Sequence, residues 1–165
     1  MSGDESGEIL LLEPETESHA GFLREVFDST REREMDLVDW SELQKEAFLS
    51  MQFHAQRRHH REHFQNADFR IVSCDGAPAG RLCVHRGEGE IRIVDLALLP
   101  RYRGRGTGTR LIGRILEESD RAGIPVRLHV EKDNAAQRLY RRSGFVPVED
   151  KGAHWLMERK PAQAA

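Results

Sequence analysis

Residues 103–109, Arg103-Gly104-Arg105-Gly106-Thr107-Gly108-Thr109, sit between an apolar run and an amphipathic one, and they constrain the fold more than any other segment. Upstream, Ile91–Leu99 (IRIVDLALL) becomes apolar on both faces toward its end, as a central strand does. Downstream, Leu111, Ile112, Ile115 and Leu116 recur on one side of a helix that Gly123 and Pro125 bring to a stop. Glycine permits positive φ and close backbone approach, so successive N–H groups in such a turn can point into one concave site. The helix start adds a partial positive charge, and Arg101, Arg103, Arg105 and Arg110 add whole ones. The segment therefore predicts a pyrophosphate cradle. The spacing Gly104-x-Gly106-x-Gly108 does not fit G-x-G-x-x-G, and no P-loop lysine follows it. A tight turn with solvated arginines is the plainer reading of the same residues.

The rest of the chain alternates strands and helices. Ile9–Leu12, ended by Glu13-Pro14, reads as a strand, and Ala20, Leu23, Val26 and Phe27 recur at helical spacing. From Ser41, a plausible N-cap, a long helix runs to about residue 65. Leu43, Ala47, Phe48, Met51 and Ala55 form its expected core stripe, with Phe53, His60 and Phe64 on a different face. Phe69–Cys74 and Ala79–His85 flank Asp75-Gly76 as a hairpin. Val126–Glu131 predicts a strand, Asn134–Arg142 a helix, and Phe145–Val148 and His154–Glu158 the last strands. The order is β-α-α-β-β-β-α-β-α-β-β, a mixed α/β domain rather than a doubly wound one. With 165 residues the chain suits one domain. The expected limits are 8–159, between residues 1–7 and 160–165 that should fray.

Composition narrows the partners. Lys plus Arg number 25 against 28 Asp plus Glu, a formal charge of −3, where a nucleic-acid or membrane binder usually shows a basic excess. No apolar run approaches the ~18 residues of a membrane span, and MSGDESGE lacks the apolar core of a signal peptide. Cys74 and Cys83 do not make a disulfide framework, and pairing about the Asp75-Gly76 turn sets Cys83 opposite a residue near 68. A cytoplasmic protein with reduced thiols is expected, and a homodimer is compatible with these features. His59-His60-Arg61-Glu62-His63 matches H-x-x-E-H, a zinc-binding pattern on a helix. Its neighbours Arg57, Arg58 and Arg61 repel a dication, so a basic solvated helix end is expected and no metal.

Two blocks carry a resemblance. VDLALLPRYRGRGTGTRLI contains Arg103-x-x-Gly106-x-Gly108, and LHVEKDNAAQRLYRRSGF contains Asn134, Leu139-Tyr140 and Gly144-Phe145. Together, and in this order, they resemble the acetyl-CoA motif and the following block of the GCN5-related N-acetyltransferase (GNAT) family. The resemblance covers nearly the whole chain. It implies a mixed, mostly antiparallel sheet flanked by helices, and an N-acetyltransferase with acetyl-CoA as acyl donor and a primary amine, small molecule or peptide, as acceptor. A non-catalytic acyl-CoA binding or sensing module on the same fold is the alternative.

The resemblance also implies roles for residues. The strand ending at Leu98 would splay from the one ending at Glu131, with backbone groups of Leu96 and Leu98 pairing with pantetheine like an added strand. Arg103, Gly104, Arg105, Gly106, Thr107, Gly108 and Thr109 would take the phosphates, and Asn134 the pantetheine amide, although an N-cap role for Asn134 is equally predicted. Tyr140 resembles the family's general acid, a phenol that protonates the leaving thiolate; a packed amphipathic tyrosine is the plainer alternative. The general base stays open among His129, Glu90, Asp95 and a relayed water, with His129 leading because the ordinary imidazole pKa of ~6.5 suits proton uptake near neutrality. Arg92 stands where histone-acetylating members place a catalytic glutamate. Trp40 and Asp39, in the acid-rich segment before the long helix, suit a cationic acceptor through cation–π and Coulomb attraction.

Overall fold

The computed structural model describes residues 7–163. Seven strands join in one sheet in the order β1-β2-β3-β4-β5-β7-β6. They are β1 (Leu10–Pro14), β2 (Asp68–Cys74), β3 (Ala77–Arg86), β4 (Ile91–Leu98), β5 (Val126–Glu131), β6 (Val146–Asp150) and β7 (His154–Arg159). Five helices accompany them: α1 (Ala20–Ser29), α2 (Glu32–Asp36), α3 (Glu42–His63), α4 (Thr107–Ala122) and α5 (Gln137–Arg142). The fold is mixed α/β with a largely antiparallel sheet. The frayed ends expected at 1–7 and 160–165 fall, for residues 1–6 and 164–165, outside the described residues. Among the described residues no helix is long and apolar enough to cross a membrane.

The chain divides into two compact units, one reaching to Leu82 and including Leu96–Tyr102, the other comprising Cys83–Asp95 and the chain from Arg103 onward. In the first unit β1 pairs antiparallel with β2 from Leu10↔Cys74 to Pro14↔Arg70. Asp75 and Gly76 end β2 with φ of 50° and 84°, the left-handed pair that a two-residue hairpin turn requires. Leu23 and Phe27 of α1, Phe53 of α3 and Ile71 of β2 form the buried cluster, with Phe22 and Leu49 packed on it. Later in the same unit, Leu99 N–H donates to Ala79 carbonyl at 2.8 Å. A side chain at Gly80 would collide with the backbone of Ala97 and Leu98, so that close approach requires glycine.

Two expectations for this unit change. A short helix, α2, anchored by buried Met35, adds a third helix where two were expected. α3 ends at His63, near the expected limit, but turns its other face inward. Leu43 and Met51 are 83% and 62% exposed, Ala47 and Ala55 are exposed, and only Phe48 of the expected stripe is half-buried. The core takes Leu49, Phe53 and His60 instead, the Phe53 ring tilted against Phe27 at 5.6 Å. Both faces carry apolar residues, and the inward one is fixed by Phe53, whose ring completes the cluster with Leu23, Phe27 and Ile71.

Buried charge also marks this unit. The Glu15 carboxylate lies 3.7 Å from Arg57 Nη1 and 3.6 Å from Arg81 Nε, with all three side chains largely buried. Burial, opposed by the Glu15 charge and reinforced by Arg61 and Arg81, lowers the Arg57 pKa.

In the second unit β4 and β5 run parallel over Ile91↔Val126, Arg92↔Arg127 and Ile93↔Leu128. β5 pairs antiparallel with β7 along its whole length, and β7 with β6 through an irregularity at Pro147/Glu149. Val126, Leu128 and Val130 are buried and Arg127, His129 and Glu131 are not, the period-two alternation of a strand with one covered face. α4 buries Thr107, Leu111, Ile112, Ile115 and Ser119 on a single stripe and stops at Gly123, whose φ of 68° supplies the left-handed cap. α5 begins three residues later than expected, at Gln137. Asn134 Oδ1 accepts the Ala136 N–H at 2.8 Å, and that local turn replaces the first helical turn.

Candidate functional site

The glycine-rich turn opens α4 without a side-chain cap. Gly106 is the N-cap residue, at φ 82° and ψ −1°, and Gly104 also adopts positive φ, at 70°. The first intrahelical bond in this turn runs from Arg110 N–H to Gly106 carbonyl at 3.0 Å. The amides of residues 107–109 therefore precede the intrahelical ladder and point out of the helix start, with its partial positive charge behind them. A Cβ at Gly104 or Gly106 would meet no atom within 4 Å, so the space over the turn is open.

Two neighbours add detail that composition did not reveal. The Thr107 side chain is 1% exposed and its Oγ1 has no hydrogen-bond partner, a buried polar atom in the first turn of α4. Such a group is costly unless a ligand or water satisfies it. A Cβ at Gly108 would lie 2.9 Å from Leu139 Cδ2, so this glycine serves the approach of α4 to Leu139 as well as any ligand. Open amides, an orphaned buried hydroxyl and nearby arginines fit a pyrophosphate-bearing cosubstrate. Arg101, expected to join this charge, belongs to the other unit, 3.9 Å from Glu25 and over the Tyr102 ring.

Tyr140, on α5, is 6% exposed and packs edge-on against Phe145 at 5.8 Å. Burial first, and the Asp95 charge second, hold its phenol above the ordinary range. It is a protonated hydroxyl at any physiological pH. Full proton loss from it is difficult.

His129 stands on the uncovered face of β5 beside a charged network. Arg92 Nη1 lies 3.1 Å from His129 Nδ1, and the same guanidinium donates to Glu90 through Nε and Nη2, at 3.3 Å each. Arg92 has no acceptor atom, so the imidazole accepts at Nδ1 and carries its proton at Nε2 when neutral. Burial, then the charges of Arg92, Lys151 and His154, lower the His129 pKa. Of the residues that compete for the base role, Glu90 is held by Arg92 and Asp95 is half-buried near Tyr140. Arg92 is thus the site residue whose part emerged only in three dimensions. Its contact with His129 spans 37 residues, beyond the reach of any local pattern.

The turn, Tyr140, His129 and Asn134 all belong to the second unit, although Asn134 spends its Oδ1 on the Ala136 amide. The first unit carries Leu96 and Leu98, both half-buried on β4, and the acceptor candidates Trp40 and Asp39. Trp40 is 40% exposed and meets Phe48 edge-on at 5.2 Å; Asp39 is exposed. At the H-x-x-E-H motif, His59 and His63 stack with ring centres 4.1 Å apart, and His63 Nδ1 bonds the His59 carbonyl of its own helix at 3.0 Å. Among the described residues no group of three or more ligating side chains could hold a metal.

A profile of the Acetyltransferase (GNAT) family matches residues 29–145. The fold is similar to that of PaiA N-acetyltransferase from Thermoplasma acidophilum in complex with coenzyme A, with a TM-score of 0.69 and 18% identity, over 92% of this chain and 99% of that one. An acetyltransferase from Thermus thermophilus gives 0.66 and 20% identity, over 92% and 96%. A ribosomal-protein alanine N-acetyltransferase from Escherichia coli gives 0.62 and 16% identity, over 95% and 97%. No curated protein matches the chain in sequence.

Proposed function

The chain belongs to the acetyltransferase (GNAT) family, and from that premise we propose that it transfers the acetyl group of acetyl-CoA to a primary amine by direct attack on the thioester. The observation that carries this reading is the open helix start at Gly106, with the buried Thr107 hydroxyl lacking a partner beneath it. Acetyl-CoA supplies an activated acyl group and a phosphate-rich handle. Residues 103–109 hold the phosphates, the backbone of Leu96 and Leu98 holds the pantetheine arm as an added strand would, and the Asn134 amide reaches the same arm.

The proton chemistry falls to two side chains. His129 takes the proton that the acceptor ammonium must lose before attack. The lowered pKa keeps the imidazole neutral and able to accept, and uptake at Nδ1 displaces Arg92, which then remains paired with Glu90. Tyr140 faces the opposite task. Complete transfer from a buried phenol to a thiolate runs uphill, so its O–H first donates a hydrogen bond to the charge developing on sulfur and yields the proton as the C–S bond breaks. Trp40 and Asp39 receive a cationic acceptor, through the ring face and the exposed carboxylate. One observation favours a second reading, a non-catalytic acyl-CoA binding module: Arg92 already occupies the basic nitrogen of His129.

Thiol release from acetyl-CoA, followed over a panel of amines, polyamines, aminoglycosides and peptides, separates the two readings. Turnover with at least one acceptor, lost in Tyr140→Phe while calorimetric acetyl-CoA affinity is kept, supports transfer. Binding without release for every acceptor supports the module. Absence of binding removes both.

A further inference from the structure

We propose that Glu90 is a positioning residue for His129, acting through Arg92: its carboxylate grips one edge of the guanidinium and aims the other at imidazole Nδ1. The grip is two-point. Arg92 Nε donates to Glu90 Oε2 and Nη2 to Oε1, at 3.3 Å each. That leaves Nη1, on the far edge of the planar fork, 3.1 Å from His129 Nδ1. At 3.3 Å the two bonds are long for charge-assisted ones, so they orient the fork more than they stabilise it. Glu90 is itself held at the start of β4. Its carbonyl accepts the Gly87 N–H at 3.0 Å, and the next amide, Ile91 N–H, donates to the Pro125 carbonyl at 2.9 Å. Arg127, the register partner of Arg92, has its own carboxylate in Glu158 at 2.7 Å, which leaves the Glu90 fork to Arg92.

An ordinary surface ion pair contributes little and directs nothing. This one differs in two respects. The Arg92 and Glu90 side chains are only 17% and 29% exposed, and the guanidinium has a third partner on the next strand. Which nitrogen of a neutral imidazole carries the proton is set by the bond that the other nitrogen makes. A free ring exchanges its two tautomers and turns, whereas His129 with Arg92 at Nδ1 is held in one. When His129 takes a proton at Nδ1, two donors face each other and Nη1 must withdraw. The Glu90 fork keeps the guanidinium beside the ring, so it returns to Nδ1 once that proton has passed to water. The consequence for catalysis rests on the acetyl-transfer reading, with His129 as base.

Nitrogen NMR of the full chain, labelled on its histidines, tests this at about pH 8, where an imidazole with a lowered pKa is neutral. The His129 signal, one of eight, is the one missing from His129→Gln. In the wild type it should show a single tautomer, unprotonated at Nδ1. Glu90→Gln keeps the shape but offers one acceptor in place of two, and it should mix the tautomers. Arg92→Lys keeps the charge without the fork and should do the same. In transfer assays Glu90→Gln should lower kcat roughly tenfold and leave the acceptor KM and acetyl-CoA affinity unchanged. The double variant should be no slower than Arg92→Lys alone, because the carboxylate acts only through the guanidinium. A single tautomer retained in Glu90→Gln overturns the proposal, and so do two substitutions whose effects on kcat multiply. Mixed tautomers in variants of a chain that releases no thiol with any acceptor uphold Glu90 as the positioning residue and remove the transfer reading instead.

Discussion

α3 and α4 are the two long helices, and they begin in opposite ways. At α3, Ser41 Oγ accepts the Gln44 N–H at 3.2 Å while Gln44 Oε1 accepts the Ser41 N–H at 2.9 Å, a reciprocal box that closes the helix end with its own side chains. At α4, Gly106 offers no side chain, so the first amides stay open. A helix end that satisfies itself is built for stability. One that leaves its donors unmet is built for a ligand, and here a family cosubstrate with three phosphates is the ligand expected.

Substitutions that interchange these two properties test the contrast. The largest effect belongs to Gly106→Val. A β-branched residue at φ 82° is strained, and its side chain enters the cradle, so acetyl-CoA affinity should fall by about three orders of magnitude, some 4 kcal/mol by calorimetry. Retained affinity would show that the turn is only a turn. Next come Trp40→Ala and Asp39→Asn, just before the closed end of α3. Each should raise the acceptor KM roughly tenfold, the scale of a cation–π or exposed-charge contact, and leave acetyl-CoA affinity alone. An unchanged acceptor KM would place recognition elsewhere. Ser41→Ala, which opens the box, should cost about 1 kcal/mol in a denaturant melt without touching cosubstrate affinity. A change in affinity would erase the distinction between the helix starts.

The smallest effect is a pH limb. His129 has a depressed pKa, so with His129 as base the rate should rise with pH through an apparent value below the ordinary 6.5. The folded state also binds fewer protons here than the unfolded chain, so the related stability is present above 6.5 and is lost as pH falls through the folded value. Arg92→Ala removes a neighbouring positive charge and should move the rate limb upward. A limb that stays put in Arg92→Ala, or persists in His129→Gln, transfers the base role to Asp95, Glu90 or water.

The sequence made α4 legible because its five buried side chains form one stripe and almost everything else on the helix is polar. α3 carries apolar residues on two faces, and periodicity alone could not rank them. The choice was made by Phe27 on α1, against whose ring Phe53 packs. The Asp75-Gly76 turn was legible for a local reason, since few residue pairs accept two positive φ values in succession. The Gly104 and Gly106 turn was legible in the same way. The partnership of Arg92 with His129 was not, because register between β4 and β5 decides it. Nor was the late start of α5, where a single side-chain bond from Asn134 outcompetes a helical turn.

The Glu15, Arg57 and Arg81 cluster has a thermal consequence. Here two guanidiniums and a carboxylate are held largely out of water. Hydration of charged groups becomes less favourable on heating, so withdrawing this trio from water weighs least on the folded state when hot and most when cold. Cooling also weakens the hydrophobic contribution of the neighbouring aromatic cluster. Both trends act in the same direction, so cooling should weaken the region around this cluster on both counts.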